Sequence, residues 1–346
     1  PLYMFPSRSR VYRQPYGVAL VISPWNYPFQ LLFAPLIGAI AAGNCVIAKP
    51  SRKTANTLEI IEKILSETFL PEYVCPVIAE GQEDMSSLLE QRFDYIFFTG
   101  GPVFGRTVMQ SATRFLTPLT LELGGKSPCI VDSDAHIRTT ARRIVWGKFL
   151  NCGQTCVAPD YLWVHQSVKN DLTDEIKKVL SEFFGKNPEE SPDYGRIVST
   201  SHFDRLISLM NERTIIAGGT FDRDTRYISP TVIDNVRTDD AIMQEEIFGP
   251  LLPVLEFSDI TEIYNYLHQE EKPLALYYFT SDASKATQML KNTSSGGACI
   301  NDVIMHVANS HIPFGGVGNS GMGNYHGKYS FDTFSHTRSV VKSSSL

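Results

Sequence analysis

The chain has 346 residues, 43% hydrophobic and 20% charged, with a formal net charge of −6. That length suits two α/β cores rather than one, and the balance is that of an ordinary globular protein. Without clustered Lys and Arg, a net-negative chain has no electrostatic surface for nucleic acid, and leaves room only for a local basic patch at a nucleotide.

The chain begins at Pro1 rather than Met and carries no signal-peptide pattern, which predicts an N-terminus that is processed, trimmed or missing. The first 16 residues read as an arm outside either core. From Gly17 to Leu123 short apolar runs alternate with helical patterns. The strands are expected at Val18–Ile22, Val46–Ala48, Val74–Ala79, Tyr95–Phe98 and Leu119–Leu123. The helices are expected near Phe29–Ala42, Ala55–Thr68, Met85–Glu90 and Phe104–Ala112. Strands this apolar are buried on both faces, which implies a parallel, doubly wound sheet with ligands at the carboxyl ends of its strands. The apolar stretch from Phe29 to Ala48 is long enough to imitate a membrane span. Gln30, Pro35 and the Gly43-Asn44 turn interrupt it, so a buried helix, a turn and a strand are expected instead.

After Gly124-Gly125 the alternation resumes with strands at Ile130–Val131, Tyr161–Val164, Leu252–Phe257, Leu276–Phe279 and Ala298–Ile300. Helical runs sit near Ile137–Leu150, Val168–Phe184, Phe203–Met210, Ile260–His268 and Ala283–Leu290, and Gly185–Asp193 reads as a surface loop. No internal repeat is visible, and the only biased segment is the tail Ser343–Ser345. The six cysteines form no CxxC pair and no zinc-spaced cluster with histidine. A reducing, intracellular and most simply cytoplasmic setting with no metal follows from that.

Three segments carry chemistry. In Asn151-Cys-Gly-Gln-Thr-Cys-Val-Ala-Pro159 a cysteine, Cys156, sits in a Gly-containing loop where a thiol can be exposed enough to act as a nucleophile; an inert buried cysteine is the ordinary alternative. In Leu121-Glu-Leu-Gly-Gly-Lys126, Glu122 lies within an apolar strand. Desolvation there raises a carboxyl pKa toward a working general base, whereas an ion pair with Lys126 would make it structural. In Pro24-Trp-Asn-Tyr-Pro28, two prolines fix the backbone around Asn26. Its amide is a neutral donor for an oxyanion, or simply a turn former.

These segments, with AAGNCVIAKPS, FTGG, EEIFGP and PFGGVGNSGMG, resemble the aldehyde dehydrogenase superfamily in matching order from Gly17 to about Ser339. NCGQTCVAPDY and YHGKYSFDTFSHTRS are similar to the class 3 branch of fatty and aromatic aldehyde dehydrogenases. The resemblance implies an α/β fold with a doubly wound Rossmann-type cofactor domain and an α/β catalytic domain. The expected bounds are 1–16 for an arm or oligomerisation segment, 17–123 for NAD(P) binding, 124–320 for catalysis, and 321–346 for a C-terminal segment near a dimer interface. It implies Cys156 as nucleophile, Glu122 as base for the deacylating water, and Asn26 with the Cys156 N–H as oxyanion hole. Lys49 would hold cofactor ribose, Ser51 would contribute to cofactor binding, and Glu246 and Phe248 would position the nicotinamide ribose and ring. Gly100, Gly101 and Gly105 would admit the pyrophosphate at a helix N-terminus. Tyr27, Leu31 and His311 are candidates for the walls of the aldehyde tunnel.

Two positions depart from the family pattern. Arg52 stands where a Glu usually holds the adenosine ribose; a guanidinium can pair with a 2′-phosphate, so NADP is expected beside NAD. Gly101-Pro102 replaces the usual Ser-Thr, leaving backbone to carry the pyrophosphate contact. Family members also have roughly 80 to 90 further residues before the Pro-Trp-Asn motif, and some continue into a hydrophobic anchor, so any membrane contact is expected only through a tail absent here. The implied function is oxidation of an aliphatic or aromatic aldehyde by a homodimer. A coenzyme A-acylating dehydrogenase, which needs no hydrolytic base, and a catalytically silent binding relative are the alternatives.

Overall fold

The computed structural model describes residues 5–79, 81–210 and 213–343, so residues 1–4 of the arm and 344–346 of the serine tail lie outside the described residues. The chain divides into two compact units. The first comprises the chain up to Glu122, with Ser310–Pro313 and the segment from Met322 onward; the second comprises Leu123–Asn309 and Phe314–Gly321.

In the first unit five strands run parallel in the spatial order Leu119–Glu122, Tyr95–Thr99, Val18–Ile22, Cys45–Lys49, Val74–Pro76. Leu20, Val21 and Phe97 are wholly enclosed. Each such side chain contributes roughly 1.5–3 kcal/mol by leaving water, so the alternation of short apolar runs is what specifies the sheet. The chain steps outward from Val18–Ile22 in one direction, then returns to Tyr95–Thr99 on the other side. That reversal makes a topological switch point, the place where such sheets receive ligands. The apolar stretch after Tyr27 forms the helix Gln30–Ala41, and Gly43, at φ 92°, turns the chain into the next strand. Asn44 secures that turn: its Oδ1 accepts from the Gly17 N–H and its amide donates to the Ala39 and Phe334 carbonyls. Among the described residues no helix is long and apolar enough to cross a membrane.

The arm is more ordered than its composition suggests. Arg8–Pro15 pairs antiparallel with Ser335–Lys342 over its whole length, from Arg8 opposite Lys342 to Pro15 opposite Ser335. Most of the ribbon is exposed.

The second unit carries a seven-stranded sheet ordered Gly297–Ile300, Ala275–Phe279, Pro128–Val131, Tyr161–His165, Leu251–Phe257, Thr231–Asp234, Thr214–Ala217. All neighbours are parallel except the last pair. The sequence reading finds the first five of these strands and misses the last two. The outermost, Thr214–Ala217, exposes its first two residues, and Thr231–Asp234 begins and ends on polar residues, so neither stands out as a buried apolar run. The expected loop Gly185–Asp193 contains one turn of 3-10 helix at Pro188–Glu190.

Candidate functional site

Within the first unit the candidate residues gather at the carboxyl edge of one sheet. Asn26 follows Val18–Ile22, Lys49 ends Cys45–Lys49, Gly100 and Gly101 follow Tyr95–Thr99, and Glu122 ends Leu119–Glu122. Adjacent registers fix them: Ile22 is opposite Lys49, and Thr99 is opposite Glu122. The Ser23 N–H donates to the Lys49 carbonyl and the Gly100 N–H to the Glu122 carbonyl, so each loop leaves its strand tied to the neighbour.

The glycine loop opens the helix Pro102–Ala112. Gly101 is its N-cap and offers no side-chain cap, Pro102 stands at the first position, and no acidic residue lies in the first turn. The helix therefore begins with bare N–H groups and an uncompensated dipole, a ready anion site. A Cβ on Gly101 would meet nothing within 4 Å, so the space above it is open. Gly105 lies buried on the same helix. Lys49 is half-buried, and enclosure, reinforced by the neighbouring Arg52 charge, holds its ammonium below the usual lysine range. Arg52 is exposed and forms no ion pair among the described residues, while Lys53 lies 5.7 Å over the Trp25 ring.

Glu122 is 2% exposed, and neither carboxylate oxygen has a hydrogen-bond partner among the described residues. Burial pushes its pKa well above the carboxylate range. Lys126, the ion-pair partner that would have made Glu122 structural, is engaged elsewhere: its Nζ lies 2.5 Å from Asp160 and donates to the carbonyls of Ile242 and Glu245. Asn26, Tyr27 and Leu31 are half-buried, the last two bonded across the first helical turn, and His311 is exposed in the separate piece Ser310–Pro313.

In the second unit the candidates sit at the opposite kind of edge. Gly124-Gly125, Cys156 and Glu246–Phe248 precede Pro128–Val131, Tyr161–His165 and Leu251–Phe257, and so gather at the amino ends of three adjacent strands.

Cys156 owes its position to a tight reversal. Asn151, Cys152 and Gly153 take positive φ values of 52°, 55° and 71° in succession. Gln154 then clamps the loop: its amide donates to the carbonyls of Asn151 and Arg196, and its Oε1 accepts from the Val198 N–H. On the far side Tyr277 donates its hydroxyl to the Val157 carbonyl. Cys156 is half-buried, whereas Cys152 is buried and its thiol is pushed up to about 12 by enclosure, which leaves it inert at neutral pH.

The loop bearing Glu246 and Phe248 packs against this reversal. Phe248 is left-handed at φ 51°, its carbonyl bonded by His202. Asp160 accepts from the Ile247 N–H with the oxygen that Lys126 leaves free, and Arg205 reaches Glu245 and the Glu246 and Ile247 carbonyls. Glu246 accepts from the Gly125 N–H, yet burial and the nearby Asp160 charge push its carboxyl up to about 8. Asp160, Arg205 and Gln154 are supporting residues that the sequence reading does not single out. Asp160 and Gln154 lie inside a motif that it quotes, but only the fold shows what they hold. No group of three metal-ligating side chains occurs among the described residues.

Residues 5–340 match the profile of the aldehyde dehydrogenase family. The chain belongs to that family. It is 53% identical over 343 residues to the 4,4'-diaponeurosporen-aldehyde dehydrogenase of Staphylococcus aureus, covering 99% of this chain and 74% of that protein. It is 51% identical to aldehyde dehydrogenase family 3 member A2 of Pongo abelii, over 94% of this chain and 67% of the relative. A solved structure of Staphylococcus aureus AldH in a substrate-bound state superposes with a TM-score of 0.97 at 52% identity, covering 100% of this chain and 76% of that one. As an aldehyde dehydrogenase, the chain is an NAD(P)-dependent oxidoreductase, and its two sheets are the α/β architecture of that family.

Proposed function

We propose that this aldehyde dehydrogenase oxidises medium- or long-chain aliphatic or aromatic aldehydes to carboxylic acids through a thioester on Cys156, with the first unit serving the cofactor and the second the thiol. The Cys156 thiolate adds to the aldehyde carbon, and the Asn26 amide and the Cys156 N–H donate to the oxyanion that forms. When bound, the nicotinamide supplies the hydride acceptor. Glu122 then takes a proton from water, and the hydroxide attacks the thioester carbon and releases the acid. The bare helix start and the open space at Gly101 fit a dinucleotide pyrophosphate. Lys49 would hold the ribose, with Ser51 contributing to cofactor binding, and Arg52 would hold a 2′-phosphate, Glu246 and Phe248 the nicotinamide end.

The observation that carries this reading is the state of Glu122: enclosed, raised in pKa and bonded to nothing among the described residues. A structural carboxylate would be paired, because an unsatisfied one costs stability. Glu122 also favours hydrolysis over transfer to coenzyme A, which needs no base for water. The preference for apolar aldehydes rests on the relatives, whose names specify a diaponeurosporen-aldehyde substrate in one case and family 3 in the others. A dog relative, 47% identical, is named dimeric and NADP-preferring, which supports both NADP use and a homodimer here.

The test is turnover of straight-chain aldehydes and benzaldehyde with NAD or NADP, followed by the absorbance of reduced nicotinamide. Cys156→Ala is expected to lose on the order of 10³-fold or more. Glu122→Gln is expected to give a burst of about one reduced nicotinamide per site and then stall at the thioester. Steady wild-type turnover by Glu122→Gln would remove the proposed base, and product formed only when coenzyme A is added would replace hydrolysis with transfer.

A further inference from the structure

The second unit holds another thiol with a base beside it. Cys299 lies on the edge strand Gly297–Ile300, directly opposite Tyr277 in register. Its Sγ is 3.2 Å from Nδ1 of His306. The imidazole has been given a defined seat: its ring meets those of Tyr277 and Phe314 at centroid distances of 6.1 and 5.8 Å, and a Cβ on Gly297 would fall 2.6 Å from its Cδ2. Gly297 is therefore needed for the imidazole to reach the thiol. Cys299 is half-buried on the last strand of its sheet, open enough to be reached.

Two effects compete at this sulfur. Partial burial and the Asp302 charge favour the protonated thiol, the backbone N–H groups of His306 and Met305 favour the thiolate, and enclosure is the largest influence. A preformed thiolate is thus disfavoured, and reactivity depends on a base that takes the proton as the bond forms. His306 stands at the distance for that transfer.

We propose that Cys299 and His306 form a second covalent site, which captures α,β-unsaturated carbonyl compounds by conjugate addition. Cys299 Sγ attacks the β-carbon as His306 Nδ1 takes the thiol proton. The C=C electron pair moves through the α-carbon into the carbonyl as an enolate. The imidazolium returns the proton to the α-carbon, leaving a thioether and an intact aldehyde. Nothing is oxidised or reduced, and every atom of thiol and enal is retained. A soft thiol across from Tyr277, with its base packed on the Tyr277 and Phe314 rings, suits a small, soft, apolar electrophile. The adduct would stand across from Tyr277, whose hydroxyl holds the Val157 carbonyl next to Cys156.

The test uses the full chain carrying Cys156→Ala, treated with but-2-enal, quenched with borohydride and mapped by peptide mass spectrometry over time. Cys299 is expected to gain the adduct at least about ten times faster than the half-buried Cys45 and Cys75. His306→Gln, with unchanged far-UV circular dichroism, is expected to bring it down to their rate. Gly297→Ala, which keeps both reacting side chains but presses the imidazole aside, is expected to slow it as well. Labelling of Cys299 no faster than Cys45 and Cys75 would overturn the proposal. So would a rate that neither folded variant changes by more than about twofold.

Discussion

A Cβ on Gly124 would fall 2.6 Å from one carboxylate oxygen of Glu246 and 2.7 Å from the other. The glycine pair that ends the Glu122 strand thus has a second task, which is to leave room for a carboxylate that lies more than a hundred residues away in the chain. The adjacent Gly125 contributes its N–H to the same carboxylate.

Gly124→Ala is therefore expected to push Glu246 out of place without changing any of the three proposed catalytic side chains. If Glu246 holds nicotinamide ribose, the loss is of hydrogen bonds worth about 0.5–1.5 kcal/mol each. The expected result is a rise in the cofactor KM of roughly 10- to 100-fold, with far-UV circular dichroism unchanged. An unaltered cofactor KM in a folded variant would separate Glu246 from cofactor binding.

The reversal before Cys156 makes a sharper demand. Gly153 has φ 71°, and a Cβ there would lie 2.2 Å from the Gly249 carbonyl oxygen, which is backbone and cannot swing away. Gly153→Ala combines left-handed strain of about 1–2 kcal/mol with that collision. A loss of at least about 2 kcal/mol in denaturant unfolding is expected, together with slowed alkylation or turnover at Cys156. A variant as stable and as active as the parent would show that the loop shifts freely.

What the sequence makes legible is local, and what it hides is a partner far along the chain. The apolar strands Val18–Ile22 and Tyr95–Thr99 are visible because burial on both faces leaves an unbroken apolar run. Glu122 is visible because a carboxylate is out of place in such a run, whereas Asn26 and Cys156 are visible only through the motifs around them, since a turn-forming asparagine and an inert cysteine are ordinary on their own. The ribbon of Arg8–Pro15 with Ser335–Lys342 is hidden, since nearly every side chain on it is exposed and its pairing spans almost the whole chain. Arg205 is hidden for a similar reason: nothing near it in sequence announces the Glu245–Ile247 segment that it holds.

Arg52 tests the departure from the family pattern. It is exposed, adds to the positive charge around Lys49, and forms no ion pair among the described residues. Arg52→Glu would place a carboxylate where a 2′-phosphate is proposed to sit, exchanging attraction for repulsion. The expected outcome is a shift in the ratio of kcat/KM for NADP over NAD of roughly 10- to 100-fold toward NAD. Equal losses with both cofactors would place Arg52 away from the 2′ position.

Lys148 misleads in the other direction, for in sequence it is an ordinary lysine in the last turn of Ile137–Phe149, well placed for the helix dipole. In the fold it is 0% exposed and its Nζ has no hydrogen-bond partner among the described residues. Burial lowers its pKa from 10.5 to about 8, partly offset by the charges of Asp160 and Glu246. Below about pH 8 the native state carries a buried ammonium, whereas the unfolded chain keeps its proton up to about 10.5. Between those values the unfolded state binds more protons, so stability rises with pH and the cost of the buried charge is relieved. That cost is roughly 3 kcal/mol at neutral pH. Lys148→Met, similar in volume and uncharged, is expected to be more stable than the parent at about pH 7, with the advantage shrinking toward zero by about pH 10. Thermal or urea unfolding across that range measures it. A variant less stable than the parent at neutral pH would mean that Asp160 and Glu246 hold the ammonium well enough to make its charge an asset.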